Sequence, residues 1–359
     1  MATYDEKQFE NYKLQPENLA SIKDAVNETT FKDENLREFV NIVTGVKNDD
    51  PIALIGAMDD VGKKGSGCDP VYEEKGIANS MNRWKLGDWQ IPIKICYESM
   101  LGTIAEYALK KNTDIGDLDG TDIMTIYTMK LQEAVKLMFW RYAWFGDEAA
   151  KNVTENGGGG KITDGVKTEL FTVCKGLFKQ IFEQCVADAS QHTTISANTK
   201  TSFAEQKSAA LAKGYMTGIV DNMLMDVDSR ILDDSSAVLM MTRSMASALA
   251  YDIKQTHNII MPWEKVFDGF EVANYNGVKI ARVSIWDRMI KAYEKGSAAF
   301  NLPYRAVFAN PKQLMVGSPT DIVANLDIWF DHKERRNYIY ATGKIGTALL
   351  EKNMFHAAY

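Results

Sequence analysis

From Thr121 to Phe145 the chain reads TDIMTIYTMKLQEAVKLMFWRYAWF. Apolar residues fall at Ile123, Tyr127, Leu131, Ala134, Met138, Tyr142 and Phe145. Steps of three and four residues mark one face of an α-helix. A second row (Ile126, Met129, Leu137, Phe139, Ala143, Trp144) widens that face. Asp119 with Asp122 three residues on supplies a start signal, and Gly146 a stop. At 1.5 Å per residue such a helix is about 37 Å long. Lys130, Glu133, Lys136 and Arg141 interrupt it, so it does not read as a membrane span. The pattern predicts a long backbone helix on which a sheet and shorter helices pack.

Residues 1–50 carry two modest helical patterns, one on Leu19, Ile22 and Val26, the other on Leu36, Phe39, Val40 and Val43. Charge is dense between them, so the segment buries little by itself and is expected either to be loose or to lie across something else, a neighbouring subunit above all. Glycines and a proline from Gly56 to Gly76 mark loop. Between Arg83 and Glu98, Trp89, Ile91, Ile93 and Ile95 alternate with Gln90, Pro92 and Lys94, which predicts a strand. Pro92 cannot donate to a ladder, so the strand belongs at an edge or in a projecting ribbon. Trp84 and Trp89 there have two readings: hot spots on another subunit, or rings folded back on this chain's own core.

Further along, a short helix is expected over 98–111, a Gly-rich loop over Asn152–Lys161, and helices over Asp164–Asp188 and Ala204–Leu224. Residues 189–203 read as loop. AVLMMT from Ala237 reads as a buried strand and Ser244–Gln255 as helix. Val278, Ile280, Val283 and Ile285 read as a short strand ending near Trp286. In the last 60 residues a strand runs to Phe308, followed by a turn and a bent piece. A hairpin then sets Leu326, Ile328 and Phe330 against Tyr338 and Tyr340 across the turn HKERRN. The order of elements predicts an α+β fold.

Composition narrows the function. The chain has 359 residues, 45% hydrophobic and 25% charged, with a formal net charge of −7. That is enough chain for two packed units, and the acidic balance disfavours a general nucleic-acid binder. Cys68, Cys96, Cys174 and Cys185 are too sparse for a disulfide framework and lack zinc spacing, which suits a reducing compartment. The first residues, MATYDEKQFENYKLQ, read as neither a signal nor a transit peptide.

Motifs that resemble chemistry are weak. Asp117–Leu118–Asp119–Gly120–Thr121 matches the DxDGT signature of haloacid-dehalogenase-type phosphatases, whose first Asp is the nucleophile. The residues before it, LKKNTDIG, do not form the apolar strand that signature needs, so they read as a helix cap. Gly157–Thr163 departs from a phosphate loop at Glu155 and Ile162. Asp226 and Asp228 lack the remainder of a calcium loop. His192, His257, His332 and His356 have no metalloprotease spacing, and no GxSxG exists. Lys333, Arg335 and Arg336 form a basic turn, either solvated or an intersubunit ion-pair site. These readings point away from an enzyme and to no cofactor or metal.

Three stretches carry a resemblance: the ribbon and long helix ending WRYAWFGDEAA, then NGVKIARVSIWDRMI, then YRAVFANPKQLMVG with LDIWFDHKERRNYIYATGKIGTALLEKN. Their order is similar to that of major capsid proteins of tailed bacteriophages, in the fold shared with encapsulins, and particularly to those of gut Bacteroides-type phages. The match rests on arrangement over about two thirds of the chain. The resemblance implies an N-terminal arm at 1–80 and an extended β-loop at 81–100. It implies a peripheral domain at 101–163 and 301–359 with its spine helix at 121–145, and an axial domain at 164–300. It implies assembly contacts on the extended loop at Trp84, Lys85, Trp89, Ile91 and Lys94. Lys85 and Lys94 lie where some family members cross-link, but no acceptor asparagine or catalytic carboxylate matches, so no cross-link is carried over.

The expected function is that of a structural shell subunit. It would assemble with itself into hexamers and pentamers enclosing double-stranded DNA without sequence-specific binding. Portal, separate scaffolding and decoration proteins are the further partners implied, with no membrane. The expected location is the virion capsid, and the host cytoplasm during assembly. An encapsulin-like compartment is the alternative within the fold. A phosphatase using Asp117 and Asp119 is the alternative from another class.

Overall fold

The computed structural model describes residues 37–58, 64, 77–96, 120–150, 168–196, 200, 202–267, 270–294, 301–320, 325–331, 333–334 and 336–359. The first strands are β1 (Asn41–Thr44), β2 (Pro51–Met58), β3 (Ile77–Arg83) and β4 (Gly87–Cys96), followed by the long helix α1 (Gly120–Phe145). Then come α2 (Leu177–Ala187), β5 (His192–Thr193), α3 (Phe203–Lys207), α4 (Tyr215–Asp226), α5 (Ser229–Leu232), β6 (Val238–Thr242) and α6 (Arg243–His257). After β7 (Glu264–Phe267), β8 (Phe270–Tyr275), β9 (Val278–Val283) and α7 (Ser284–Tyr293), the chain ends in strands. These are β10 (Ala306–Ala309), β11 (Leu314–Ser318), β12 (Asn325–Asp331), β13 (Arg336–Leu349) and β14 (Phe355–Ala358).

Two sheets share one core. The larger has seven strands in the order β5-β14-β10-β6-β9-β8-β7. Strands covered on both faces read as continuous apolar runs, and β6 is buried at all of Val238–Thr242. Val238, Met240, Val307, Ala309, Phe355 and Ala357 face the core that α1, α2 and α7 close with Trp144, Phe178 and Trp286. Leu239, Met241, Ala306, Phe308 and Ala358 face the other way, onto Met216, Val220, Met245 and Leu249 of α4 and α6. The smaller sheet runs β1-β11-β13-β12, with β4 on β13. Long β13 spans it: Arg336–Thr342 lies between β12 and β4, and Gly346–Leu349 pairs with β11.

Helix α1 joins the two sheets. Phe139 meets Trp89 of β4 edge-on at 5.6 Å, while Trp140 lies 5.2 Å from Phe270 of β8. Trp144 packs on Trp286 of α7 at 4.6 Å. Leu131, Met138, Tyr142 and Phe145 are buried as the periodicity predicts, together with Val135, which that row omits. Ala134 and Met129 are exposed instead, because burial follows Leu131, Val135, Met138 and Tyr142, a stripe slightly rotated from the expected one.

Several expectations change. Phe39–Val43 is not a helix: Phe39 and Val40 are buried, and β1 runs parallel to β11. The helix expected over 164–188 is split into a single turn at Thr168–Leu170 and α2, with a bend between them where Gly176 N donates to Gly146 O at 2.8 Å. The helix expected over 204–224 is also split. Ser202 and Glu205 form a capping box on α3, and α4 starts only after Gly214, whose φ is +82°. Ile285 and Trp286 belong to α7 rather than to the preceding strand, because Ile285, Trp286, Met289 and Ile290 share one helical face. Strands β7, β8 and β14 have no counterpart in the sequence reading. The β8–β9 turn is Asn276–Gly277, both at positive φ (47° and 81°), the pair that a tight hairpin demands.

Within the implied loop at 81–100, residues 87–96 form β4, paired over its whole length with β13. Among the described residues β2 and β3 pair only with each other. Strands β10 and β14 complete the seven-stranded sheet, so 301–359 contributes to both sheets. The helical pattern at Leu19–Val26, the helix expected at 98–111, the Gly-rich loop and Asp117–Asp119 lie outside the described residues.

Candidate assembly surface

Strand β4 has the alternation the sequence predicts, and among the described residues it is an edge strand that pairs only with β13, with Pro92 opposite Tyr340. The phase decides which residues face outward. Trp89, 3% exposed, points inward and covers Gly343 of β13, where an added Cβ would sit 2.5 Å from the indole. Trp84, 4% exposed, covers Gly317 of β11 in the same way and joins Val46, Ile52, Met315 and Ala348 in a small core. Ile91 is buried as well. Within the chain Trp84 and Trp89 therefore fill the seats that Gly317 and Gly343 leave, as the second of their two readings has it, and Ile91 shares the inward face of β4 with Trp89.

Lys85 and Lys94 are exposed. Lys333 is exposed at the β12–β13 tip, where its N–H donates to Asp331 Oδ1 at 2.8 Å. Arg336 lies 3.6 Å from Glu334, and Arg335 is outside the described residues. Opposed residues of antiparallel strands share a face, so Trp329, Tyr338 and Lys94 form one outward row across β12, β13 and β4. Trp329 is 49% exposed and stacks on Tyr338 with centroids 5.3 Å apart and planes 6° from parallel. Tyr338 donates its hydroxyl to Glu334, and Tyr340, in the next outward row, donates to Gln90 Oε1 at 3.3 Å. Ile339, Ala341 and Ile91 lie on the opposite, buried face. The sequence reading passed over Trp329, although a signal was present: in LDIWFD the tryptophan occupies the polar phase, between Asp327 and Asp331.

A second exposed apolar group surrounds the end of α6. Tyr251, Ile259, Ile260 and Val266 are 63%, 58%, 78% and 47% exposed. The turn after α6 places Asn258 at φ 53° as its cap.

The polar interior is built for structure. Arg305 and Glu294 form a buried ion pair at 2.8 Å, with the guanidinium 5.0 Å from the Phe178 ring centre. Burial pushes the Glu294 carboxyl up, and Arg305 opposes the shift. Asp252 accepts from Gly214 N (2.6 Å), Thr217 N and Thr217 Oγ1 (both 2.9 Å), capping α4. Asp228 caps α5 through Arg230 N at 2.9 Å and pairs with the Arg230 guanidinium, so it is occupied as a cap. Burial pushes the thiols of Cys174 and Cys185 up to about 12, which leaves both un-ionised at neutral pH. Among the described residues no cluster of histidine, cysteine and carboxylate side chains could hold a metal ion, and no helix is long and apolar enough to cross a membrane.

No family model matches the sequence, and no curated protein matches it. Solved structures do resemble the fold. A chain of the satellite phage P4 procapsid, in a structure that includes the size determination (Sid) protein, is 12% identical with a TM-score of 0.48. The alignment covers 94% of this chain and 98% of that one. A chain of Gordonia phage Cozz is 11% identical, TM-score 0.48, over 90% of this chain and 85% of its own. A chain from the capsid of a native GTA particle is 10% identical, TM-score 0.46, over 90% and 88%.

Proposed function

We propose that this chain is a structural shell subunit, the major capsid protein of a tailed-phage head. It self-assembles into hexamers and pentamers around double-stranded DNA, with no enzymatic role. One observation carries the reading. Among the described residues the β2–β3 ribbon pairs only with itself and leads, through buried Trp84, into the sheet that rests on the long helix α1. An isolated two-stranded ribbon is marginal in water. It gains stability by lying on another surface, and in a shell that surface is the next subunit. The extended loop is accordingly assigned to 51–83 in place of 81–100, with the arm before it. The peripheral domain takes β4, α1 and β11–β13, and the axial domain takes the seven-stranded sheet with its helices. The order of arm, extended loop and spine helix is the one the sequence resemblance implies. Residues that remain candidates for intersubunit contact are Lys85, Lys94, Lys333, Arg335 and Arg336, and the outward Trp329–Tyr338 row joins them. Portal, scaffolding and decoration proteins are its proposed partners, and the virion its proposed location.

Negative-stain imaging and sedimentation of the purified protein at micromolar concentration test the proposal. Rings or closed shells are the expected result. A single species of about 40 kDa at every salt and crowding condition overturns it. Nucleic acid inside the purified particles separates a phage head from an encapsulin-like compartment.

A further inference from the structure

Residues 37–50 touch three parts of the molecule in succession. Phe39 is buried and stacks on Phe270 of β8, with ring centres 4.7 Å apart and planes 18° from parallel. The same Phe270 ring lies 5.2 Å from Trp140, so this segment, α1 and the seven-stranded sheet meet at one ring. Beside Phe39, Glu38 reaches Lys279 of β9 at 3.2 Å. That pair is partly open to water and adds little, so the buried stack is the anchor.

Two residues on, the chain is in the other sheet. Asn41–Thr44 form β1, parallel to β11. Val40, which alone separates the stack from this ladder, is itself buried. Two residue steps span about 7 Å at full extension, so the segment has almost no slack between its two holds. Past β1, Val46 N donates to Ser318 O at 3.2 Å, and the Val46 side chain packs with Trp84 and Ile52. Residues 47–50 then grip the root of the β2–β3 ribbon. Asp49 N donates to Trp84 O at 2.8 Å, Trp84 N to Asp50 O at 3.1 Å, and Leu86 N to Asn48 Oδ1 at 3.1 Å. The root is also held by Trp84 over Gly317 and by Asn82 Nδ2, which donates to Leu349 O at 3.4 Å. Both of those holds belong to the smaller sheet, whereas Phe39 belongs to the larger one.

We infer that residues 37–50 are a taut strap that ties the ribbon root to the seven-stranded sheet, so that a shift of β8 past β11 is passed on to β2–β3. The strap lies wholly within one subunit, so the coupling is independent of whether the chain builds shells. Its use, to fix the angle at which the ribbon meets a neighbour, rests on the shell reading.

Amide exchange on the full, unassembled chain tests it. In the parent chain, across urea concentrations below the unfolding transition, the protected amides of β1, Asp49 and Trp84 are expected to open as one unit. They should share one free energy and one denaturant slope, both smaller than those of buried β6. In Phe39→Ala the anchor on Phe270 is lost, and the opening constants of all three should rise by one common factor of about 100-fold or more, the cost of truncating a buried phenylalanine. Asp49 and Trp84 unchanged in the variant would overturn the strap, because the smaller sheet alone would then hold the root. Root amides that open ahead of β1 in the parent chain overturn it as well, and so do strap amides that open only with β6. If the variant does not fold, the urea series on the parent chain decides. Assembly enters none of these measurements, so shells that fail to form would refute the shell reading and leave the strap standing.

Discussion

Two tryptophans on the strands that flank β13 have opposite fates, and the difference is phase. Trp89 occupies the inward position of β4, over Gly343 and against Phe139. Trp329 occupies an outward position of β12 and is half exposed on Tyr338. Truncation separates the two roles. Trp89→Ala leaves a cavity between sheet and helix, and is expected to lower the stability of the unassembled subunit by about 3–5 kcal/mol. Thermal unfolding of the subunit measures it, and an unchanged Tm would place the ring outside the core. Trp329→Ala loses only a surface cross-strand stack, worth about 1 kcal/mol or less. Its unassembled Tm should scarcely move, whereas particle yield should fall at least tenfold if the ring is a hot spot between subunits, where such aromatics contribute about 2 kcal/mol or more. Normal yield would remove this row from the interface.

At the scale of elements, α1 is the most informative. Leu131 and Ala134 stand in the same apolar row of the sequence, yet the first is 4% exposed and the second is open to solvent. Leu131→Asp sets an unpaired carboxylate in the buried face of α1 and is expected to abolish folding, read as loss of soluble protein. Ala134→Asp should stay within about 0.5 kcal/mol of the parent. Equal tolerance of both would reverse the assignment of the face. The pair also shows what the pattern could convey. The helix, buried β6, the hairpin β12–β13 and the alternation of β4 were legible because each has a clean period. The stripe's rotation was not, because an alanine weighs as apolar wherever it falls. The split of the expected helix at 164–188 was hidden too: the bend before α2 is set by a backbone contact between Gly176 and Gly146, far apart in sequence. Strand β14 is too short for a period, and its identity comes from its partners β10 and β5. Among the candidate contacts, the residue types at Trp84 and Trp89 were noticed correctly. Their direction depended on the glycines of β11 and β13 opposite them, which no local pattern reports.

At the scale of the whole molecule, charge and contact pull against each other. Every subunit carries a formal charge of −7, so bringing copies together raises their electrostatic energy. The outward rows that would join them are aromatic: Trp329 and Tyr338 in one, Tyr340 with Pro92 in the next. Around them two ion pairs are already matched within the subunit. Glu334 lies beside Arg336, and Lys344 lies 3.2 Å from Asp88. Exposed pairs of this kind contribute about 1 kcal/mol or less, and salt weakens them further. The repulsion between whole subunits is long-ranged and is screened within about 8 Å at physiological ionic strength. Apolar burial is not screened. Raising sodium chloride from 50 to 500 mM should therefore promote assembly, lowering the subunit concentration at which particles form. Light scattering across a concentration series at each salt gives that threshold directly. A threshold that climbs with salt would mean that ion pairs between subunits, with Lys94 and Lys333 the first to examine, hold the contacts in place of the aromatic row. Reversing the charge of those two lysines would then be expected to prevent assembly. If instead the threshold falls, the same reversals should act only through net charge, and 500 mM salt should restore assembly of the variant.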